Sequence, residues 1–327
     1  RHLGQQGVDL VELRLDCLQR NVQVKRLLAE RTCPVIATCR RKQDGGHWER
    51  TEDERLTVLR TAIAEGVDYI DLEDDIAESI PRFGSTRRII SLHDFKRTPD
   101  DLQGLHSYLA DLDADVVKIA TLASHPNDNL RMLELVRSSS IPTVGLCMGE
   151  IGTPSRVLAG QFGAAFTFAP FNPEKILAPG QIPWRQLCEM YRYDAITPST
   201  KVYGVVADPV GHSLSPVVHN AACAAAGIDA VYLPFLVPKG HLGDVLKNSQ
   251  RWPLAGLSVT IPHKESVVGF ASSQGDLVEE IGAANTISFD GETRAMKVFN
   301  TDVTAAVAAI QASLAAQDVG FGGRLGL

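Results

Sequence analysis

A lysine, a histidine and several arginines stand at or near the ends of strand-like segments of this 327-residue chain. Lys118 lies within the apolar run 116–120, and His93 ends the segment 88–93. In a βα-barrel the carboxyl ends of the strands converge on one face, and that face holds the active site. A lysine and a histidine gathered there with cations favour imine chemistry on a small anion. The neighbouring charged residues are Glu12, Arg14, Arg40 and Arg156.

The residue types explain why this group could catalyse a reaction. Burial in an apolar strand favours the neutral amine of Lys118, and a neutral amine can attack a ketone. The resulting iminium acidifies the adjacent carbon, and His93 is suited to move that proton because histidine titrates near neutral pH. Arginine binds carboxylates through two parallel hydrogen bonds. The ordinary alternatives are a lysine at a sheet edge, a solvated turn at His93 and Asp94, and an ion pair between Glu12 and Arg14.

A second group of polar residues lies in the last third of the chain. Ser213 and Ser215 carry hydroxyls just before a predicted helix, where a carboxylate would meet donors and the positive end of the helix dipole. Ser215 before Pro216 is also typical of an ordinary helix N-cap. Lys264 and Asp302 could exchange a proton, or they could form a surface salt bridge.

Strand-like and helix-like segments alternate through residue 195, which indicates a parallel sheet. The strands are short and mostly continuous in hydrophobicity, as buried parallel strands are. Thr51 and Thr98 are predicted to cap two of the helices. The predicted strands are 8–15, 34–40, 68–73, 88–93, 116–121, 142–148 and 164–169. The predicted helices are 22–31, 52–65, 99–112, 127–138 and 184–192.

Seven strands are one fewer than a closed barrel requires, so the sequence predicts a (β/α)8-type barrel with its first strand missing. A polar, proline-containing break at 196–201 is the predicted linker between a domain at 1–195 and a domain at 202–327. A new α/β pattern follows this linker. Its predicted elements are strand 202–207, helix 216–226, strand 231–236, helix 239–248, strand 255–260 and helix 303–316.

Composition argues against several classes of protein. A net charge of −7 without basic runs argues against nucleic-acid binding, and short, interrupted apolar runs argue against a membrane span. The first residues have no signal-peptide layout. The cysteines have neither zinc-site nor disulfide spacing, so we expect no metal and buried free thiols in a reducing cytoplasm. They are Cys17, Cys33, Cys39, Cys147, Cys188 and Cys223.

Residues 1–195 resemble type I 3-dehydroquinate dehydratases in a series of short motifs. These are Glu-Leu-Arg-Leu-Asp (12–16), Ala-Thr-Cys-Arg (37–40), Tyr-Ile-Asp-Leu-Glu (69–73), Ser-Leu-His-Asp-Phe (91–95), Val-Lys-Ile-Ala (117–120), Cys-Met-Gly-Glu-Ile-Gly-Thr-Pro-Ser-Arg (147–156), Phe-Gly-Ala-Ala-Phe-Thr-Phe (162–168) and Ala-Pro-Gly-Gln (178–181). The resemblance implies syn loss of water from 3-dehydroquinate to give 3-dehydroshikimate, without a cofactor. It implies that Lys118 is the Schiff-base nucleophile and His93 the general acid and base. The implied substrate-binding residues are Glu12, Arg14, Arg40, Met148, Arg156, Phe168 and Gln181.

Two positions depart from the pattern of that family. Asp44 stands where the family usually has a glutamate near the histidine, so its carboxylate reaches one methylene less far. Leu177 stands where the family often has a serine, and a leucine cannot donate a hydrogen bond.

Residues 201–302 resemble the substrate-binding domain of shikimate dehydrogenases, although Ser258 replaces the family's usual asparagine. The motifs are Ser-Leu-Ser-Pro-Val-Val-His-Asn (213–220), Ser-Val-Thr-Ile-Pro-His-Lys (258–264), Gly-Ala-Ala-Asn-Thr (282–286) and Asn-Thr-Asp (300–302). The resemblance implies that Lys264 and Asp302 form a catalytic pair. The implied shikimate-binding residues are Ser213, Ser215, Thr260 and Asn285. The intact protein would use NADP, but the glycine-rich segment 320–323 lacks the strand of a nucleotide-binding loop, so we expect no cofactor site in this chain.

The order of the two resemblances is that of bifunctional shikimate-pathway enzymes and of the end of the fungal pentafunctional enzyme. We therefore expect a cytoplasmic fragment of such an enzyme, with a plastid transit peptide upstream left open. Its expected partners are the small molecules 3-dehydroquinate, 3-dehydroshikimate and shikimate, and neither nucleic acid nor a membrane. Two alternatives remain. One is a class I aldolase-like lyase that uses the same imine, and the other is an inactive truncated binding module.

Overall fold

The computed structural model describes residues 7–18, 22–171, 174 and 178–316. The chain divides into two compact units, Arg1–Pro198 and Ser199–Leu327. Within the described residues, no helix is both long enough and apolar enough to cross a bilayer. All six cysteines have free thiols, but only Cys39 and Cys147 are buried. The expectation of buried thiols is therefore wrong for the other four, whose side chains reach or approach the surface.

The first unit is built on a sheet of six parallel strands that pair in chain order. The predicted barrel-type α/β architecture is confirmed, in the form of a half-barrel of parallel strands, because successive parallel strands joined by helices curve into this arrangement. The strands are β1 (Val11–Arg14), β2 (Val35–Thr38), β3 (Tyr69–Glu73), β4 (Arg87–Asp94), β5 (Val116–Leu122) and β6 (Thr143–Met148).

The described residues of the first unit form five α-helices. They are α1 (Val24–Leu28), α2 (Glu52–Ala64), α3 (Leu102–Asp111), α4 (Asn127–Ser138) and α5 (Thr153–Val157). Of these, α1 to α4 lie between strands and α5 follows β6. The predicted cap of α2 is confirmed: the Thr51 hydroxyl accepts from the Glu54 amide, and the Glu54 carboxylate accepts from the Thr51 amide. This reciprocal pair satisfies two backbone donors that the helix itself leaves free.

The predicted strand 164–169 is not a strand. The Ala165 amide donates to the Thr143 carbonyl at 2.9 Å, but no second backbone hydrogen bond joins this described segment to β6. Gly163, just before it, has a φ of +87°, a left-handed conformation that turns the chain at that point. A single ladder bond cannot hold a segment in register as a strand, so the sheet has six strands where the sequence predicted seven.

Two helix predictions in the first unit are also wrong in detail. Thr98 does not cap α3, because its buried hydroxyl is bonded to Thr121. Asp101 caps that helix instead, accepting from the Gly104 amide at 2.7 Å. The predicted helix 184–192 is helical at 184–190 only, and most of it is the π-helical stretch Gln186–Met190.

Alternate residues of the strands face two different apolar clusters. Along β5, Val117 and Ile119 belong to the large cluster that packs against α2, α3 and α4. Val116 and Ala120 belong to a smaller cluster on the opposite, inner face of the sheet. Because side chains alternate along a strand, Lys118 lies on that inner face between Val116 and Ala120.

The second unit has a mixed sheet of six strands in the order β10-β12-β11-β9-β7-β8. They are β7 (Lys201–Ala207), β8 (Ala230–Leu236), β9 (Leu254–Val259), β10 (Ser273–Gln274), β11 (Thr286–Phe289) and β12 (Met296–Phe299). The helices are α6 (Ser215–Ala225), α7 (Leu242–Lys247), α8 (Asp276–Ile281) and α9 (Asp302–Ala316). The predicted strands here are confirmed as β7 to β9, whereas β10 to β12 were missed because each has four residues or fewer.

Candidate active site

The inner face of the first sheet brings the predicted reactive residues together. In the register of β4 and β5, Ser91 lies beside Lys118 and His93 lies beside Ala120. The nine site residues predicted in this unit line a single pocket. They are Glu12, Arg14, Arg40, His93, Lys118, Met148, Arg156, Phe168 and Gln181.

Lys118 is buried within this pocket, with 5% of its surface exposed. Its Nζ donates to Asp71 Oδ2 at 2.8 Å and lies 4.0 Å from Glu12 Oε1. The ammonium also stands 4.1 Å from the centre of the Phe168 ring, a cation–π contact. The nitrogen therefore lies at the floor of the pocket between an anion and an aromatic wall.

Asp71 is the residue of this site that the sequence prediction missed. Its Oδ1 accepts hydrogen bonds from Arg40 at 2.7 Å and from the Ser91 hydroxyl at 2.6 Å, while Oδ2 accepts from Lys118. Burial alone would raise the pKa of this carboxyl, but the charge of Arg40 and the charge and hydrogen bond of Lys118 outweigh burial and hold the pKa below its ordinary range. Asp71 is thus a buried, fully ionised carboxylate.

Arg40 is held by two carboxylates, which explains how a guanidinium can be buried here. Besides Asp71, it donates to Glu73 Oε1 at 3.0 Å and to the Ser91 hydroxyl at 3.0 Å. Glu73 is shared with Arg55, which donates to its other oxygen at 2.8 Å. Within the described residues, the guanidinium of Arg40 donates to side chains of β3 and β4, so its role in the free protein is to order the site.

His93 is poised as a neutral base. Burial, together with the positive charges of Arg40 and Lys118, lowers the pKa of His93 well below its ordinary value. Its Nδ1 is buried and has no hydrogen-bond partner among the described residues. The ring stacks on Phe95, with centroids 6.2 Å apart and planes 17° apart. The imidazole is therefore held in place by stacking and keeps a free nitrogen.

Asp44 lines the same pocket, but its carboxylate is bound elsewhere. Arg41 Nε donates to Asp44 Oδ2 at 2.6 Å, and the rest of that guanidinium is bound by Asp75. The next residue, Gly45, has a φ of +79° and packs so closely on Phe95 that a side chain would collide with that ring. In this structure Asp44 is thus an ion-pair partner of the loop and makes no hydrogen bond to His93.

Arg156 differs from Arg40 because no carboxylate of the described residues pairs with it. It is 1% exposed, its Nε has no hydrogen-bond partner, and one NH2 donates to the Pro179 carbonyl at 3.4 Å. Burial lowers the pKa of Arg156 to about 10. A desolvated guanidinium without a counter-ion is a site prepared for an anionic group of a ligand.

The ion pair between Glu12 and Arg14 that the sequence left open does not form. Arg14 makes two hydrogen bonds to Asp16, at 3.0 and 2.8 Å. Glu12 accepts instead from the Thr38 hydroxyl at 2.8 Å. Both residues still line the pocket, while Leu177, the second departure noted in the sequence, lies outside the described residues.

In the second unit, four polar segments meet at one edge of the sheet. Because β7 and β9 are parallel, the loops that carry Ser213 and Lys264 leave the sheet at the same edge. β11 runs antiparallel to β9 and begins there, which brings Asn285 to this edge. β12 runs antiparallel to β11 and ends there, just before Asp302. The sheet topology therefore gathers residues that are far apart in sequence.

Lys264 and Asp302 form a hydrogen-bonded ion pair at this edge. Lys264 Nζ donates to Asp302 Oδ2 at 2.6 Å, and Asn285 Nδ2 donates to Oδ1 at 2.7 Å. The hydrogen bond from Lys264 holds the pKa of the Asp302 carboxyl below its ordinary value. Both side chains remain partly exposed, at 38% and 54%, so a ligand can reach the pair.

In the second unit, the structure contradicts an N-cap role for Ser215 and adds Tyr232 to the polar residues near the site. α6 begins at Ser215, whose amide donates to the Ser213 hydroxyl at 3.3 Å, so Ser215 is not the N-cap. Tyr232 donates to the Ser258 hydroxyl at 2.7 Å, and burial raises the pKa of this tyrosine. Tyr232 was missed because a tyrosine in an apolar strand is ordinarily a core residue. Thr260 follows β9 at the same edge and is half-buried.

The first unit matches a known family over its whole length. Residues 1–198 match the sequence model described as "Type I 3-dehydroquinase". The chain belongs to the type I 3-dehydroquinase family. Residues 205–287 match a second model, the "Shikimate dehydrogenase substrate binding domain". The two matches follow the order expected from the motifs.

Curated relatives carry the same combination. An Arabidopsis thaliana protein named as a chloroplastic bifunctional 3-dehydroquinate dehydratase/shikimate dehydrogenase is 37% identical over 94% of this chain and 53% of its own length. A 3-dehydroquinate dehydratase of Methanopyrus kandleri is 39% identical over 54% of this chain and 84% of its own length. The chain thus spans about half the length of its bifunctional relative.

A solved structure agrees with the sequence comparisons. The dehydroquinate dehydratase and shikimate dehydrogenase of S. pombe AroM align with a TM-score of 0.50 and 27% identity. The alignment covers 94% of this chain and 62% of that one.

The contrast between the two buried arginines gives a prediction on stability. We expect Arg156→Met to raise the free energy of unfolding of the ligand-free protein by about 1 kcal/mol or more, because it removes an uncompensated buried cation. The matched control, Arg40→Met, should lower it by about 3–5 kcal/mol, because it removes one cationic partner from each of the buried carboxylates Asp71 and Glu73. Urea unfolding at pH 7 measures both, and a destabilised Arg156→Met would contradict this account of the pocket.

Proposed function

We propose that residues 1–195 form a 3-dehydroquinate dehydratase domain, that 196–201 are a linker, and that 202–327 form a shikimate dehydrogenase substrate-binding domain. One observation carries the first assignment. A buried amine, a neutral imidazole and a guanidinium with no counter-ion in the described part of the chain line the same pocket, at Lys118, His93 and Arg156. These are the three groups that imine-mediated dehydration of a keto acid requires.

The reaction follows from the positions of these groups. The neutral Lys118 amine adds to the substrate ketone, and the carbonyl oxygen leaves as water to give an iminium. His93 takes a proton from the carbon next to the iminium, which becomes an enamine. The same imidazole then returns that proton to the departing hydroxyl, so a second water leaves. Addition of water to the conjugated iminium releases 3-dehydroshikimate and regenerates the amine.

The remaining pocket residues would bind and orient the substrate. Arg156 would bind the carboxylate, because it is the buried cation of the pocket that pairs with no carboxylate among the described residues. Phe168 and Met148 line the pocket and would form apolar walls beside the reacting carbons. Hydroxyls of the substrate would be bound by Glu12, Arg14, Arg40 and Gln181.

We propose that the second unit binds shikimate and 3-dehydroshikimate. Lys264 and Asp302 would be its catalytic pair, because their 2.6 Å hydrogen bond lets one proton move between them and a substrate hydroxyl. Ser213, Ser215, Thr260 and Asn285 would bind the carboxylate and hydroxyls. Use of NADP by the whole protein rests on the resemblance to shikimate dehydrogenases, and the glycine-rich segment 320–323 lies outside the described residues.

The proposed partners are small molecules, and the proposed compartment is a reducing one. Six free thiols suit the cytoplasm or an equivalent compartment. The Arabidopsis relative is described as chloroplastic, which keeps a plastid open for this chain.

Trapping of the imine tests the dehydratase assignment. Sodium borohydride added with 3-dehydroquinate should attach substrate mass to Lys118, and mass spectrometry of the peptides should locate it. Lys118→Ala should abolish both labelling and turnover, whereas Lys96→Ala, an exposed lysine outside the pocket, should change neither. His93→Ala should still be labelled but should lose about 10²–10⁴-fold in turnover.

The outcomes separate the alternatives. Labelling by an aldol substrate in place of 3-dehydroquinate would favour an aldolase-like lyase. Absence of any labelling would favour a binding module. Turnover that survives Lys118→Ala would rule out the imine mechanism.

The lowered pKa of His93 gives a pH prediction. The base must be neutral to take the proton, and its pKa lies well below the ordinary 6.5. Lowering the pH through 6.5 should therefore leave kcat unchanged, and kcat should fall only at more acidic pH. Borohydride trapping over the same pH range is the control for imine formation. A kcat that halves near pH 6.5 would show that His93 titrates as an ordinary histidine.

Shikimate titration tests the second unit. We expect calorimetry on the full chain to detect binding, and Lys264→Ala to weaken it about tenfold or more, as loss of a charged hydrogen bond does. Lys247→Ala, an exposed lysine at the end of α7, is the matched control and should bind as wild type does. Binding that does not change in Lys264→Ala would place shikimate elsewhere.

A further inference from the structure

Asp71 makes the closest polar contact to the reactive nitrogen, yet the proposed reaction gives it no step. We propose that Asp71 is a positioning residue, a permanent anion that holds the Lys118 nitrogen in the pocket through a buried hydrogen bond and thereby controls the reactivity of that amine. This inference rests on the proposed function, because the free amine matters only if Lys118 forms the imine.

The geometry favours Asp71 over the other carboxylate near Lys118. Asp71 Oδ2 is 2.8 Å from Nζ and its side chain is fully buried, whereas Glu12 Oε1 is 4.0 Å away and its side chain is 20% exposed. A charge interaction strengthens as the distance shortens and as water is excluded. Asp71 therefore dominates the electrostatic environment of the nitrogen.

Asp71 can reach Lys118 because of the residue between them. Ser91 on β4 lies directly beside Lys118 in the strand register, and Asp71 comes from β3, one strand further away. The small serine leaves room for the carboxylate to cross β4, and its hydroxyl binds Asp71 Oδ1 at 2.6 Å. A larger side chain at position 91 would fill that space.

The contacts of Asp71 also show that it keeps its charge during the reaction. Arg40 and Ser91 occupy Oδ1, so only Oδ2 faces Lys118. A carboxylate fixed by a guanidinium and a hydroxyl is a poor acceptor of a proton. The proton that Lys118 loses must then pass to an acceptor other than Asp71, such as the neutral imidazole of His93 in the same pocket, and its electron pair stays on nitrogen. The same anion lies beside the cationic nitrogen of the imine.

Carbamylation by cyanate tests this inference without any substrate, since only a neutral amine reacts. The reaction of Lys118 would be followed by peptide mass spectrometry between pH 5 and 10, with Lys96 as the exposed internal reference. In Asp71→Asn the half-maximal reactivity of Lys118 should move to lower pH by about one pH unit or more, because an adjacent charge is removed.

Glu73→Gln is the matched control. Glu73 is a buried carboxylate on the same strand and binds the same Arg40, but it makes no contact with Lys118 in the described structure. We expect it to move the pH of half-maximal reactivity by less than half as much as Asp71→Asn does. Equal shifts in the two variants, or no shift in Asp71→Asn, would overturn the inference.

Thermal unfolding provides a second measurement in case Asp71→Asn folds poorly. Lys118→Met should lower the melting temperature of the wild-type chain, where it removes the partner of Asp71. It should raise the melting temperature in the Asp71→Asn background, where it removes a buried cation that has lost its partner. The same sign in both backgrounds would contradict the pairing.

The result is separable from the dehydratase assignment. If the Lys118 reactivity shifts as expected but 3-dehydroquinate is never trapped, the assignment fails while the pairing of Asp71 with Lys118 stands. If 3-dehydroquinate is trapped on Lys118 and the pH dependence does not respond to Asp71→Asn, the assignment stands and the role of Asp71 fails.

Discussion

The inner face of the first sheet must hold several charged side chains away from water, and the pairing of those charges is the constraint on which the site depends. Lys118, Asp71, Arg40 and Glu73 alternate in sign across neighbouring strands, each within 3.0 Å of the next. A buried charge without such a partner is costly, so each member fixes the positions of the others. The parallel register of β3 to β5 supplies the spacing that this alternation needs.

Much of this site could be predicted from the sequence because strand alternation and strand ends are visible in it. The apolar residues at 116 and 120 place Lys118 on their face, and the same period of two along β4 places Ser91 and His93 on one face of the sheet. Asp71 escaped prediction because its role depends on strands β2, β4 and β5 at once. A carboxylate inside an apolar strand was the available signal, and its partners become known only from the pairing of the sheet.

The errors in the fold have a related cause. Segment 164–169 has the composition of a strand, but strand formation is a property of a pair, and this segment makes one backbone hydrogen bond to β6. β11 and β12 show the converse. They are too short to stand out in sequence, yet pairing with β9 and with each other makes them strands, and it places Asn285 and Asp302 at the edge where Lys264 lies. In both cases, pairing with other strands of the sheet, rather than local composition, decided whether the segment forms a strand.

Arg40 and Arg156 have different roles because they have different hydrogen-bond partners, although both are arginines. Arg40 and Arg156 are equally buried and line the same pocket, so a motif cannot distinguish them. The Arg40 guanidinium donates hydrogen bonds to Asp71, Glu73 and Ser91. It is therefore part of the hydrogen-bond network that orders Lys118. Arg156 keeps an unbonded nitrogen and no counter-ion among the described residues. Within one pocket, Arg40 stabilises the free protein through its ion pairs. Arg156, which has no such partner among the described residues, remains available to pair with an anionic ligand.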